Sequence, residues 1–191
     1  MGDQYKVCLV GPPNSGKTYL SRLLAECAFS NANYDPTAGC RIQELDRQVG
    51  VERVTVQLWD CSGDFKYHNC LPALARDISG LLLVYNPDKD DQEAELERWY
   101  QAFAGAGMGN LVTSLVRILA VKTQTGVGRK EFGMQGKLKR LQHSTVVLPP
   151  NPVEAKDGAV VAMAELDRLL EAIIARRKEK DEQNIVEGSE F

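Results

Sequence analysis

Histidine is scarce in this 191-residue chain, which has only His68 and His143. That excludes a His-rich metal site. The five cysteines (Cys8, Cys27, Cys40, Cys61, Cys70) are odd in number and show no C-x-x-C spacing. A disulfide framework is therefore not expected; each thiol should pack as a small apolar group in a reducing compartment. No apolar run approaches the ~20 residues that span a bilayer. The first residues lack a signal-peptide pattern, and Lys6 stands where a myristoylation signal requires Ser or Thr. The last six residues, Val-Glu-Gly-Ser-Glu-Phe, contain no cysteine to prenylate. A net charge of -3 supplies no global field for nucleic acid or anionic lipid. The expectation is a soluble chain whose membrane or organelle address comes from a partner.

What is present is an alternation of six short apolar runs with helical patterns, which predicts βαβ units and a mainly parallel six-stranded sheet flanked by helices. Strands are expected at 5–10, 40–45, 53–59, 80–85, 115–121 and 144–148, with 40–45 and 53–59 forming a hairpin across 46–52. In 53–59, Val54, Val56 and Leu58 alternate with polar or amphipathic residues, the pattern of a sheet open on one face. Helices are expected at about 17–29, 91–103 and 163–176. Trp99, Tyr100 and Phe103 fall on one apolar stripe and read as core. Residues 125–143 are basic and Gly-punctuated, with no clear helix; the run 137–140 reads as a solvated face. From Arg177 the charges read as a frayed tail, so the domain is expected to span 1–178, with 179–191 disordered.

The most informative segment is Gly11-Pro12-Pro13-Asn14-Ser15-Gly16-Lys17-Thr18, which fits G-x-x-x-x-G-K-[ST]. It lies where a strand ends and an amphipathic helix opens, the context a phosphate-binding loop needs. Backbone N–H groups and the positive end of the helix dipole would face the phosphates there. Pro12 and Pro13 have no N–H, so the donors must come from Asn14, Ser15 and Gly16 onward. Lys17 would meet the β/γ oxygens, and Thr18 would offer a hydroxyl to Mg²⁺.

A second anchor follows at Trp59-Asp60-Cys61-Ser62-Gly63. An aspartate ending the next strand can hold the Mg²⁺ shell, and Gly63 can bring an N–H to a γ-phosphate. Thr37, 20 residues after Lys17, can complete Mg²⁺ coordination when a γ-phosphate is present, which would make its loop the first of two switches. His68 and Cys70, near the second anchor, read as surface or packing residues, since a lone H-x-C pair is too little for a metal.

These motifs resemble the first three of the Ras-superfamily small GTPases. The stretch 59–66, with Leu71-Pro72-Ala73-Leu74, Asp77, Gly80 and Trp99-Tyr100, is more similar still to the Rab-like GTPases of intraflagellar transport trains. The resemblance covers residues 4–125 well and the remainder by element order. It implies a Ras-like G domain, GTP or GDP with Mg²⁺, docking on coiled-coil subunits of the transport B complex, and a place in the cytoplasm, cilium or flagellum and basal body. Partner contacts would use residues 34–41 and 64–74, which alone can report nucleotide state.

Three positions depart from that pattern. Where Asn-Lys-x-Asp should read guanine, the chain has Val121-Lys122-Thr123-Gln124. Lys122 can still lie along a base, but Gln124 cannot present two equivalent acceptors, a loss of about 1.5–3 kcal/mol. Asp64 replaces the glutamine that orients attacking water. Pro13 would crowd an inserted arginine. No Ser-Ala-Lys loop follows Leu148. No residue is assigned as catalytic. The expected protein binds guanine nucleotide and hydrolyses it slowly or not at all; the alternative is a nucleotide-insensitive scaffold for a coiled-coil partner. Calorimetric titration should show GTP binding more tightly than ATP by a narrowed margin, and equal affinities would overturn the guanine assignment.

Overall fold

Residues that alternate between two apolar surfaces set the architecture. The computed structural model describes residues 3–25, 36–89, 91–106, 112–122, 136–148 and 155–188. Strands β1 (Asp3–Val10), β2 (Cys40–Val49), β3 (Glu52–Cys61), β4 (Gly80–Tyr85), β5 (Val116–Lys122) and β6 (Gln142–Val147) form one sheet in the order β2-β3-β1-β4-β5-β6. Only β2 runs antiparallel to its neighbour. On one face, Val7, Leu9, Leu82, Val84, Leu119 and Val121 pack with helices α1 (Lys17–Leu24) and α4 (Lys156–Gly188) through Leu20, Leu24, Leu166, Leu169 and Leu170. On the other, Cys8, Val10, Leu81, Leu83, Tyr85 and Ile118 meet α2 (Leu71–Ala75) and α3 (Gln92–Gly105) through Leu74, Leu96, Trp99, Tyr100 and Phe103. Each fully buried leucine contributes about 1.5–3 kcal/mol, so the two faces together hold the layers.

The hairpin is longer than expected. Asp46 to Val49 continue β2 and pair as far as Val49 with Glu52, leaving a two-residue turn at Gly50-Val51. Its polar residues pair across the strands instead of looping out: the Asp46 carboxylate accepts from Arg53 (3.0 Å) and Thr55 (3.0 Å). The alternation in β3 has the expected cause. Val54, Val56 and Leu58 are buried, while Thr55, Gln57 and Trp59 are half-exposed on the opposite face of the sheet. There Trp59 is covered by Lys6, whose Nζ lies 4.0 Å from the ring centroid. Cys8 and Cys61 are buried, Cys40 half-buried and Cys70 exposed, all as free thiols.

The helix expected at 163–176 runs from Lys156 to Gly188. Its early start depends on Gly158, where a Cβ would lie 1.9 Å from the Val147 carbonyl oxygen and 2.9 Å from Leu148 Cδ2. The residues after Arg177 were expected as a frayed tail, yet they continue the helix to Gly188, with side chains exposed through Ile185. Lys, Glu and Gln are good helix formers, and ion pairs support the extension: Arg176 with Glu179 at 3.0 Å and Lys178 with Glu52 at 2.5 Å. Arg177 bonds Asp3, and Arg47 grips Asp167 through both carboxylate oxygens at 2.6–3.0 Å. The helix at 17–29 is described only to Leu24; residues 26–35, including Cys27, lie outside the described residues, as do 123–135. Gly136–Arg140 is a short 3-10 turn whose Lys137, Lys139 and Arg140 are exposed. No helix among the described residues is long and apolar enough to cross a membrane.

Gly158→Ala should destabilise the protein by about 2–3 kcal/mol, because the added methyl meets backbone and not a yielding side chain. Urea denaturation should show a lower midpoint at unchanged slope.

Candidate functional site

The site lies at the carboxyl ends of β1 and β3, where parallel sheets of this kind open toward ligands. Val10 ends β1, and the chain turns through Gly11 to Gly16 before α1 starts at Lys17. Gly16 takes φ 92°, and a Cβ there would come within 2.9 Å of Val121 Cγ1, so only glycine lets the loop pass β5. Asn14 adopts φ 57°, a left-handed conformation that asparagine tolerates better than most residues.

Lys17 is buried and donates through Nζ to the Gly11 carbonyl (2.9 Å), the Pro12 carbonyl (2.6 Å) and Ser15 Oγ (3.2 Å). Burial pushes its pKa down to about 8, against the raising influence of Asp60. Asp60 is the complement: burial raises its carboxyl above the usual range, opposed by a hydrogen bond from Thr18 and the charge of Lys17. A buried cation and a buried anion thus face one site, each partly compensated by the other.

Thr18, Thr37 and Asp60 come together although they lie far apart in sequence. Thr18 Oγ1 donates to Asp60 Oδ2 at 2.8 Å, Thr37 Oγ1 donates to the same atom at 3.1 Å, and the two hydroxyls are 3.0 Å apart. Adjacent ligands on a Mg²⁺ octahedron with bonds of about 2.1 Å are separated by about 3.0 Å, so the triangle has the spacing of one octahedral face. Asp60 Oδ1 is buried without a hydrogen-bond partner among the described residues, a hard acceptor of the kind that a cation or its water would satisfy. The donor set, two hydroxyls and one carboxylate, fits Mg²⁺. Among the described residues no group of three His, Cys, Asp or Glu side chains could hold a metal, so this oxygen set is the candidate.

Gly63 lies hard against the phosphate loop: a Cβ there would sit 2.5 Å from Pro13 N. The loop carrying Thr37 is tied to the same segment by Ser62 N–H donating to the Gly39 carbonyl at 2.8 Å. Asp64 does not turn into the site. Its carboxylate caps the 3-10 turn Phe65–Cys70 by accepting from Lys66 N (3.0 Å) and pairs with Lys66 Nζ at 2.7 Å. The Lys66 bonds hold the Asp64 carboxyl below its usual range. A cavity of about 380 Å³ opens beside Pro13, Asn14 and Gly63, floored by Phe65 and Trp99. Lys122 ends β5 beside Val121, and its carbonyl accepts from Leu148 N at 2.7 Å. Gln124, Tyr34 and Asp35 lie outside the described residues. His68 and Cys70 are exposed, and His68 Nδ1 bonds only the local Phe65 carbonyl (3.0 Å) among the described contacts.

Sequence reading missed two contributors. Lys66 ends the stretch 59–66 that carries the resemblance, but nothing in the sequence marks it as the partner of Asp64. Gln92 is buried on the first turn of α3 and bridges Pro13 to Asn86. Nothing in its local sequence sets it apart from a solvent-facing glutamine.

A phosphate loop after the first strand of a six-stranded α/β sheet, with Thr18, Thr37 and Asp60 converging beneath it, defines a Ras-like G domain of the P-loop class. The sequence profile described as "Ras of Complex, Roc, domain of DAPkinase" matches residues 6–120. The chain is 39% identical over 179 residues to "Intraflagellar transport protein 22" of Chlamydomonas reinhardtii, covering 91% of each chain. It is 31% identical over 187 residues to the Danio rerio homolog of that protein, covering 95% of this chain and 97% of the relative. Among solved structures it is similar to "T. brucei IFT22 GDP-bound crystal structure", with TM-score 0.63 and 25% identity, covering 92% of this chain and 99% of that one. The chain belongs to the intraflagellar transport protein 22 family of Ras-like small GTPases.

The Lys17 shift sets a pH dependence. An anionic polyphosphate favours the ammonium form and raises the lysine pKa in the complex, so binding takes up a proton once the free protein has lost one. Affinity for a nucleoside diphosphate should be flat up to pH 8 and fall nearly tenfold per unit above it. Calorimetry in buffers of different ionisation enthalpy should register the proton uptake, and Lys17→Arg should abolish the slope.

Proposed function

We propose that this protein is an atypical guanine-nucleotide-binding subunit of intraflagellar transport, acting as a switch or assembly module with slow or no GTP hydrolysis. The observation that carries the reading is the Thr18–Thr37–Asp60 triangle beside a buried Lys17, with one Asp60 oxygen left unsatisfied. Such a site holds opposed buried charges that a Mg²⁺-bound polyphosphate would complete. In this reading Asn14, Ser15, Gly16, Lys17 and Thr18 bind the phosphates, Thr37 and Gly63 meet the γ-phosphate, and Lys122 and Gln124 flank the base. Thr18, Thr37 and Asp60 hold the Mg²⁺, which when bound neutralises charge between the terminal phosphates. The GDP-bound state of the T. brucei relative supports guanine as the base.

Slow turnover is supported by Asp64, which is engaged as a helix cap and ion-pair partner of Lys66 and is too short to orient a water in glutamine's place. The names of the relatives support a place in the transport machinery of the cilium or flagellum. Within it, the partner is a coiled-coil pair of B-complex subunits, and the protein also occupies the cytoplasm and basal body. Residues 1–178 form the G domain, and the exposed end of α4 is an appended charged segment.

The purified protein should release GDP or GTP on heating, identified by chromatography, and single-turnover hydrolysis should run at or below about 10⁻⁴ s⁻¹. Lys17→Ala should weaken nucleotide binding about 100-fold or more, the usual penalty for truncating a buried charge pair. An empty protein indifferent to millimolar GTP with Mg²⁺ would refute the reading. If Lys17→Ala loses nucleotide yet binds the coiled-coil pair as wild type does, the protein is a nucleotide-insensitive scaffold.

A further inference from the structure

Two consecutive prolines sit in the middle of the phosphate loop, and neither has an N–H to offer a ligand. Asn14 N–H is the first donor after them, so its direction carries more weight than in a loop rich in glycine. That direction is fixed by one peptide plane. In a trans peptide the carbonyl of one residue and the N–H of the next point opposite ways, and no cis bond occurs among the described residues. Whatever orients the Pro13 carbonyl therefore orients Asn14 N–H.

The group that orients it is the side chain of Gln92. Its Nε2 donates to the Pro13 carbonyl at 2.9 Å, while its Oε1 accepts from Asn86 N–H at 2.8 Å. The amide can sit only one way round, because Asn86 N–H is solely a donor and the Pro13 carbonyl solely an acceptor. Gln92 is 6% exposed and Asn86 4%, so both bonds are sheltered from competing water. Asn86 in turn closes the turn after β4 by accepting from Asp88 N at 2.8 Å. The Pro13 carbonyl is thus anchored through α3 to the end of a central strand. The two preceding carbonyls are held by Lys17.

The anchored conformation is one the loop would not choose alone. Asn14 sits at φ 57°, and rotating the Pro13–Asn14 peptide would return it to negative φ. A non-glycine residue gains by that rotation. The Gln92 bond to the Pro13 carbonyl opposes it.

We propose that Gln92 is a positioning residue for the phosphate loop, holding the Pro13–Asn14 peptide so that Asn14 N–H faces the bound polyphosphate. The inference rests on the nucleotide-binding reading above, and its test separates the two. Gln92 acts through a backbone plane 79 residues away in sequence.

The experiment measures dissociation of fluorescent GDP, with Mg²⁺, from the full-length protein and its variants. Gln92→Leu removes both bonds, and Gln92→Glu keeps the acceptor for Asn86 but sets a carboxylate against the Pro13 carbonyl. Each should speed dissociation about tenfold, the scale of one lost buried hydrogen bond. Gln101→Leu, on the exposed side of the same helix, should leave the rate unchanged. Asn14→Gly supplies the discriminating readout, because glycine takes φ 57° freely and no longer needs holding. In that background Gln92→Leu should alter the rate by less than about threefold. Wild-type dissociation rates for both Gln92 variants would overturn the proposal. So would a faster rate that Asn14→Gly fails to suppress, accompanied by a lower melting temperature of the nucleotide-free form, since that is the mark of a packing role. Failure of the wild type to hold GDP would refute the nucleotide reading itself, before any variant is compared.

Discussion

Three successive carbonyls, those of Gly11, Pro12 and Pro13, must be kept away from the face of the loop where an anion would lie, and each is held by a donor. Lys17 Nζ takes the first two and Gln92 Nε2 the third. An anion cannot share a cradle with carbonyl oxygens, and the backbone of a six-residue turn has no hydrogen-bond ladder of its own to fix it. The rest of the fold supplies the donors and their positions. Parallel pairing of β1 with β3 and β4 sets where the loop starts, α1 aims Lys17 back across it, and α3 brings Gln92 to its flank.

The electrostatics follow from the same crowding. Lys17 and Asp60 are both buried, and burial drives each toward its neutral form, the lysine pKa downward and the carboxyl upward. Lys17 Nζ finds three acceptors, but Asp60 Oδ1 has no hydrogen-bond partner among the described residues, so the carboxylate is not fully compensated. Buried, incompletely paired charges are unfavourable for folding, and proteins retain such violations of local rules mainly at functional sites. Asp64 shows the opposite case. Where a water-orienting residue would stand, this chain has an aspartate that satisfies a helix terminus and pairs with Lys66. Its carboxylate is committed to local structure.

Much of this was legible beforehand. G-x-x-x-x-G-K-T between a strand and a helix marked the loop, and the structure sets Thr37 and Asp60 within hydrogen-bond reach of Thr18 at its end. The buried strand Gly80 to Tyr85 declared itself as a continuous apolar run, which a sheet covered on both faces tolerates. The hairpin was read too short, because Asp46, Arg47 and Gln48 look like loop residues until Arg53, Thr55 and Asp167 are seen to pair with them. The extent of α4 was missed for a related reason. A charged run has no apolar period to signal a helix, and its supporting ions, Asp3 and Glu52, lie more than 120 positions earlier.

By itself the sequence determined the class of fold and marked the G-x-x-x-x-G-K-T loop, because local backbone requirements and strand periodicity are written in adjacent residues. Only the tertiary structure decided that Asp64 is a cap, that Asp60 Oδ1 lacks a hydrogen-bond partner among the described residues and that Gln92 bonds the Pro13 carbonyl. Those facts are relations between side chains and backbone groups that chain folding brings together. A hydrogen bond spanning 79 residues leaves no periodicity and no spacing to read; it exists only once the sheet has set α3 beside the end of β1.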